Sequence, residues 1–127
     1  MIIGQIDEQF EARVLLTVLT GPELETTVNF LVDTGFNGFL AVTPELVEQL
    51  NLPLGPVQRG MTADGRTGFY DTAELRIVWH DRATVIRAQV LEEPLIGTRL
   101  LAGHQLIADW QPGGDFRLTQ SPEAANQ

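Results

Sequence analysis

Short β-rich runs, each closed off by a turn signal, follow one another along almost the whole chain, and one segment alone carries strong marks of a helix. Ile2–Ile6 and residues 12–20 are rich in aliphatic and β-branched side chains, with polar residues 7–11 between them, as in an opening hairpin or a pair of sheet strands. Gly21-Pro22 marks a turn, and residues 26–32 alternate in part before ending on Leu31-Val32. Residues 39–42 form a short strand. Thr43-Pro44 then supplies an N-cap and a proline at the first helical position, starting a helix that runs to about Leu50. Its Leu46, Val47 and Leu50 make one apolar stripe, suited to covering a sheet.

Pro53 and Pro56 break the chain before a hairpin that pairs residues 57–62 with residues 67–77 across Ala63-Asp64-Gly65-Arg66. A second hairpin joins residues 75–79 to residues 84–91 through His80-Asp81-Arg82. Pro94-Leu95-Ile96-Gly97 reads as a short strand, with a helical or irregular turn over 98–103 and strands near 106–110 and 115–119. Many short strands with few helices predict an all-β fold, a closed barrel or a sandwich, in one domain over 1–119 followed by a flexible C-terminal tail at 120–127. A chain of 127 residues suffices to bury roughly two-thirds of its unfolded surface in one core.

Composition narrows the function classes. With 43% hydrophobic and 20% charged residues, neither disorder nor a membrane span is expected. Asp7, Glu8 and Glu11 interrupt the first twenty residues, which do not read as a signal peptide, so the expectation is cytoplasmic residence. There is no cysteine, which removes thiolate catalysis and sulfur-based zinc sites. All eight basic residues are Arg, scattered along a chain of net charge −9, a balance that repels phosphate backbones and argues against nucleic acid as a partner. His80 and His104 have no partner at metal-ligand spacing and read as solvent-facing or locally bonded; no metal and no cofactor is expected. Trp79 and Trp110 read as packing residues.

The chemistry-bearing candidate is Asp33-Thr34-Gly35, placed where the apolar strand ending Leu31-Val32 surfaces. One reading makes it an ordinary turn, with Asp33 capping backbone amides and Gly35 accepting positive φ. The other makes it a catalytic loop. The preceding apolar strand, the capped helix about ten residues on and the distant Leu95-Ile96-Gly97 together form a pattern that resembles the retropepsin-like (clan AA) single-domain aspartic proteases, and the Asp-Thr-Gly-Phe form is similar to their prokaryotic branch. The resemblance covers about residues 10–119.

The resemblance implies a retropepsin-like closed β-barrel in which Asp33 is the catalytic carboxylate, Thr34 hydrogen-bonds across a dimer axis beneath it, and Gly35 permits close backbone approach. It also implies that Leu95, Ile96 and Gly97 pass behind the loop and that the hairpin at residues 60–70 is a flap, with Thr62, Ala63, Asp64 and Gly65 on the substrate. Phe36, Asn37 and Gly38 would complete the substrate side. Phe36 is bulkier than the Ala, Ser or Thr of many relatives, and either narrows a pocket or packs beneath the loop. Asn37 either contacts substrate backbone or, with Gly38, simply makes a turn.

Peptide hydrolysis of this kind uses one carboxylate to accept a proton from water and a second, protonated one to polarise the scissile carbonyl. Two carboxyls a few Å apart share one proton, and aspartic-protease dyads are themselves the usual illustration of this. The chain has no second Asp-Thr/Ser-Gly. A homodimer that sets Asp33 beside its symmetry mate is therefore expected, joined by the catalytic loops and by terminal strands such as residues 115–119 or Ile2–Ile6. The expected activity is an aspartic endopeptidase acting on peptide or protein substrates. The alternatives are a non-catalytic dimerisation or peptide-binding module of the same fold, and an unrelated monomeric barrel in which Asp33 only caps a turn.

Overall fold

The computed structural model describes residues 1–61 and 65–122. Thr62, Ala63 and Asp64 therefore lie outside the described residues. Over the described residues the chain is mostly strand, with two short helices, as expected from its strand pattern. Strands β1 (Ile2–Ile6), β2 (Ala12–Gly21), β3 (Leu24–Val32) and β4 (Leu40–Val42) precede helix α1 (Pro44–Gln49). The hairpin β5 (Gln58–Met61) and β6 (Thr67–Tyr70) follows, then β7 (Thr72–Trp79), β8 (Arg82–Val90), β9 (Leu95–Ile96), helix α2 (Thr98–Leu101), β10 (His104–Ala108) and β11 (Asp115–Gln120).

Six strands close into a barrel in the order β2-β3-β9-β4-β8-β7, and β7 returns to β2 through Val18↔Ile77 and Leu19↔Arg76. Period-two alternation explains how it fills. Ala12, Val14, Leu16 and Val18 of β2 point inward and are buried, while Leu15 between them is exposed. Phe30, Leu75, Ile77, Ile86 and Ala88 continue the same core from their own strands. Short β4 is buried at all three positions, because β9 and β8 flank it. Thr43 caps α1 by accepting from Leu46 N at 3.2 Å, and Leu46, Val47 and Leu50 pack against the core as their stripe requires.

Beside the barrel, β1, β11 and β10 extend the sheet outward from β2, ending at β10. Gln120, expected to open the loose tail, is instead the last residue of β11, paired with His104, and Ser121 N donates to Gly103 O at 2.9 Å. The expected single strand over 67–77 is two. The Leu52-to-Pro56 stretch takes the edge of β7 through Glu74 N to Pro53 O and Gly55 N to Thr72 O, so β6 leaves the barrel to pair with β5 alone. The β7–β8 loop is two residues rather than three: His80 and Asp81 both take positive φ, 49° and 62°, the geometry of a type I′ hairpin, and Arg82 already pairs with Trp79. Among the described residues no helix is long and apolar enough to cross a membrane.

Candidate active site

Strand β3 carries Asp33 out of the barrel at its carboxyl end. The carboxylate is half-buried, and its Oδ1 accepts from Gly35 N at 2.9 Å. Phe36 N donates to Asp33 O at 3.1 Å, closing a tight turn. Gly35 holds this turn without positive φ, so the conformation suspected from sequence is not what selects glycine there; a Cβ would come within 3.2 Å of Asp33 Oδ1. Thr34 and Gly35 are exposed at the tip.

The loop is held from behind by Leu95, Ile96 and Gly97. Strand β9 lies between β3 and β4, parallel to the first (Leu31↔Leu95, Val32↔Ile96) and antiparallel to the second (Leu40↔Ile96, Ala41↔Leu95). Asp33 N donates to Ile96 O at 3.0 Å, Gly97 N to Phe39 O at 3.0 Å, Thr98 N to Phe36 O at 2.9 Å and Arg99 N to Gly38 O at 3.1 Å. Four backbone groups of residues 33–39 are thereby satisfied by a segment distant in sequence, which fixes where the carboxylate stands. A Cβ on Gly97 would sit 2.2 Å from Gly38 O and 2.7 Å from Phe36 Cδ2, so glycine is a steric requirement here.

Phe36 packs its ring on Gly38, whose Cβ would meet Phe36 Cζ at 2.5 Å, and on Gly97. It also lines a cleft of about 680 Å³ beside the β5–β6 hairpin. Asn37 and Gly38 line the same cleft. From the β5–β6 hairpin come Gln58, Gly60 and Tyr70 on one face, with Gln58 opposite Tyr70 and the Tyr70 ring lying where a Cβ on Gly60 would go. Gly65 is exposed, has φ of 84° and does not line the cleft. The sequence reading missed Gln58, Tyr70, Arg87, Gln89 and Arg99; alternation along β5 and β8 was the one signal that could have found the strand members.

Asp33 itself opens on the other side of the loop. A groove of about 650 Å³ runs past Asp33 and Thr34 between Phe10, Leu106, Trp110 and Phe116. Phe10, Leu106 and Trp110 are exposed apolar residues. The groove borders β10, which among the described residues pairs only with β11 and leaves its other edge open. Of the terminal strands expected to join two copies, β11 lies between β10 and β1, while β1 pairs with β11 over Ile2 to Gln5 and with β2 only through Gln5 and Ile6.

The two histidines are each other's partners across 24 residues, Nε2 to Nε2 at 2.7 Å, a pairing that sequence spacing did not reveal. Trp79 packs edge-on against both rings. Comparison of the chain with protein-family models, curated proteins and solved structures yields no match.

Proposed function

We propose that this chain is one half of a homodimeric, retropepsin-like aspartic endopeptidase in which Asp33 and its symmetry mate activate water against a peptide bond. The observation that carries the reading is the lacing of the Asp33-to-Phe39 loop to residues 96–99, which holds the half-buried Asp33 carboxylate in an apolar groove while Gly35 to Phe39 line the cleft on the other side of the loop. In the dimer, one Asp33 ionises and takes the proton of the attacking water, while the other, protonated, donates to the scissile carbonyl. The open edge of β10 with Leu106, Trp110 and the neighbouring Phe10 supplies the surface for the second copy, since exposed apolar area and an unpaired strand edge both favour association.

The test is cleavage of an unfolded protein or a peptide mixture, followed by mass spectrometry, with the wild-type chain and Asp33→Asn side by side. Wild-type cleavage that disappears in Asp33→Asn and is blocked by a statine-type inhibitor supports the reading. Equal cleavage by the variant overturns it. Sedimentation should give twice the chain mass of 14.0 kDa. Tight peptide binding with no cleavage from pH 3 to 8 would instead establish the binding-module alternative.

A further inference from the structure

The wall of the flap-side cleft is unlike the rest of the molecule. The chain carries 17 acidic residues against eight arginines, yet among the described residues no Asp or Glu lines this cleft, while Arg87 and Arg99 both do. Two arginines outside the cleft are ion-paired: Arg13 with Asp7 and Glu11, and Arg117 with Asp115. Among the described residues neither Arg87 nor Arg99 makes an ion pair or a side-chain hydrogen bond. Glu74 is the register neighbour of Arg87 across β7–β8, but Arg87 Nε turns toward the Gly55 strap instead, 3.3 Å from where a Cβ on Gly55 would stand.

The two arginines arrive from different elements. Arg87 projects from the outer face of β8, and Arg99 from the first turn of α2, whose amides are committed to the loop carbonyls of Phe36 and Gly38. A guanidinium offers five N–H donors and no acceptor, so two of them facing one cleft demand acceptors from whatever enters it. A carboxylate matches that fork geometry best. Asn37, Gln58 and Gln89 add amides that can donate or accept along a peptide backbone. The net charge of the chain opposes an acidic ligand at long range, but at physiological salt that repulsion is screened beyond about 8 Å, and the nearest charges decide.

We propose that the flap-side cleft takes an acidic side chain of an extended peptide, with Arg87 and Arg99 as the residues that select it. The proposal rests on the reading of this cleft as a peptide site, and names the class of peptide it prefers.

The experiment uses full-length Asp33→Asn protein, so that binding is read without turnover. Three fluorescent peptides of otherwise identical sequence carry Glu, Gln or Lys at the central positions, and binding is followed by anisotropy. The Glu peptide should bind about five- to tenfold tighter than the Gln peptide and more tightly still than the Lys peptide. That preference should shrink as salt rises from about 0.05 to 0.5 M. Arg87→Gln and Arg99→Gln should each reduce it and the double variant abolish it, with Arg117→Gln, on β11, as the unaffected control. Equal affinity for the Glu and Gln peptides, or an undiminished preference in the double variant, overturns the proposal. So does displacement of the Glu peptide by an equimolar single-stranded oligonucleotide, which would assign the arginines to phosphates. Turnover is scored separately with wild-type protein. Glu preference without cleavage overturns only the peptidase reading, and cleavage without Glu preference overturns only this inference.

Discussion

His80 and His104 meet head to head, with Nε2 atoms 2.7 Å apart, ring centroids 5.0 Å apart and ring planes within 15° of each other. His104 Nδ1 lies 3.0 Å from Ala102 O and 3.2 Å from Leu101 O, and carbonyls only accept, so that nitrogen carries the proton. In the neutral pair His104 Nε2 is then the acceptor and His80 Nε2 the donor. The bond ties the β7–β8 turn to the first residue of β10. Burial holds the His80 imidazole below its ordinary value of 6.5, with the charge of His104 and the amino terminus acting in the same direction and Asp81 against them.

A stability profile follows from that direction. Between pH 6.5 and the lower folded value of His80, the unfolded chain binds more protons than the folded one. Stability is therefore full above about pH 6.5, declines as the pH falls through that window and levels off below it. Urea midpoints measured at pH 7.5, 6.0 and 5.0 should fall in that order, and His80→Asn should flatten the fall, since Asn tolerates the positive φ and does not titrate. A fall of the same size in the variant would assign it to other groups.

Gly97→Ala forces a methyl group onto Gly38 O and the Phe36 ring. The expected loss is about 1–3 kcal/mol, as for overpacked sites generally, together with loss of any cleavage, because the displaced loop carries Asp33. Gly68→Ala, on β6, is the matched control: no described residue lies within 4 Å of its added methyl, and urea denaturation should place it within about 0.5 kcal/mol of wild type.

Asp33→Asn keeps an Oδ1 to accept from Gly35 N, whereas Asp33→Ala does not. The Asn variant should match wild-type stability within about 0.5 kcal/mol. The Ala variant should lose about 1 kcal/mol, with its Gly35 amide left to solvent. Both should lack cleavage. A stability loss in Asn as large as that in Ala would mean that the carboxylate's charge, rather than its acceptor oxygen, holds the turn.

Phe10 takes a φ of 62° while 56% exposed beside Asp33, a backbone region that bulky residues rarely occupy. Asp7 supports the turn by accepting from Gln9 N at 2.9 Å and Glu11 N at 3.0 Å. Strain at an exposed aromatic fits a surface kept for contact. Phe10→Gly should leave the thermal stability of dilute protein undiminished while raising the dimer dissociation constant by about tenfold or more, read by sedimentation. An unchanged constant would remove Phe10 from the interface.

What could be read from sequence was local. The β-rich run of β2, the Thr43-Pro44 cap and the turn at His80-Asp81 each express physics contained within a few residues; the first two appear where the pattern put them, and the turn is one residue shorter than the pattern gave. The break at Asp71 was illegible because it depends on the Pro53-to-Pro56 stretch taking the edge of β7. The order β10-β11-β1 hid the open edge for the same reason: the last strand in sequence is not the last in the sheet. At the candidate site, Asp33 and Gly97 were both visible, but the wedge of Phe36 between Gly38 and Gly97 and the convergence of Arg87 with Arg99 arise only when β8, β9 and α2 come together.

The position of β9 between β3 and β4 also orders events during synthesis. Asp33 N waits for Ile96 O, Phe36 O for Thr98 N and Gly38 O for Arg99 N, so the loop has none of these clamps while a ribosome is still translating residues before 96. An emerging chain can close the β2–β3 hairpin early, but the carboxylate reaches its folded setting only after about three-quarters of the polypeptide has been made. A fragment truncated before β9 would carry the whole Asp-Thr-Gly-Phe sequence and lack the frame that shapes it.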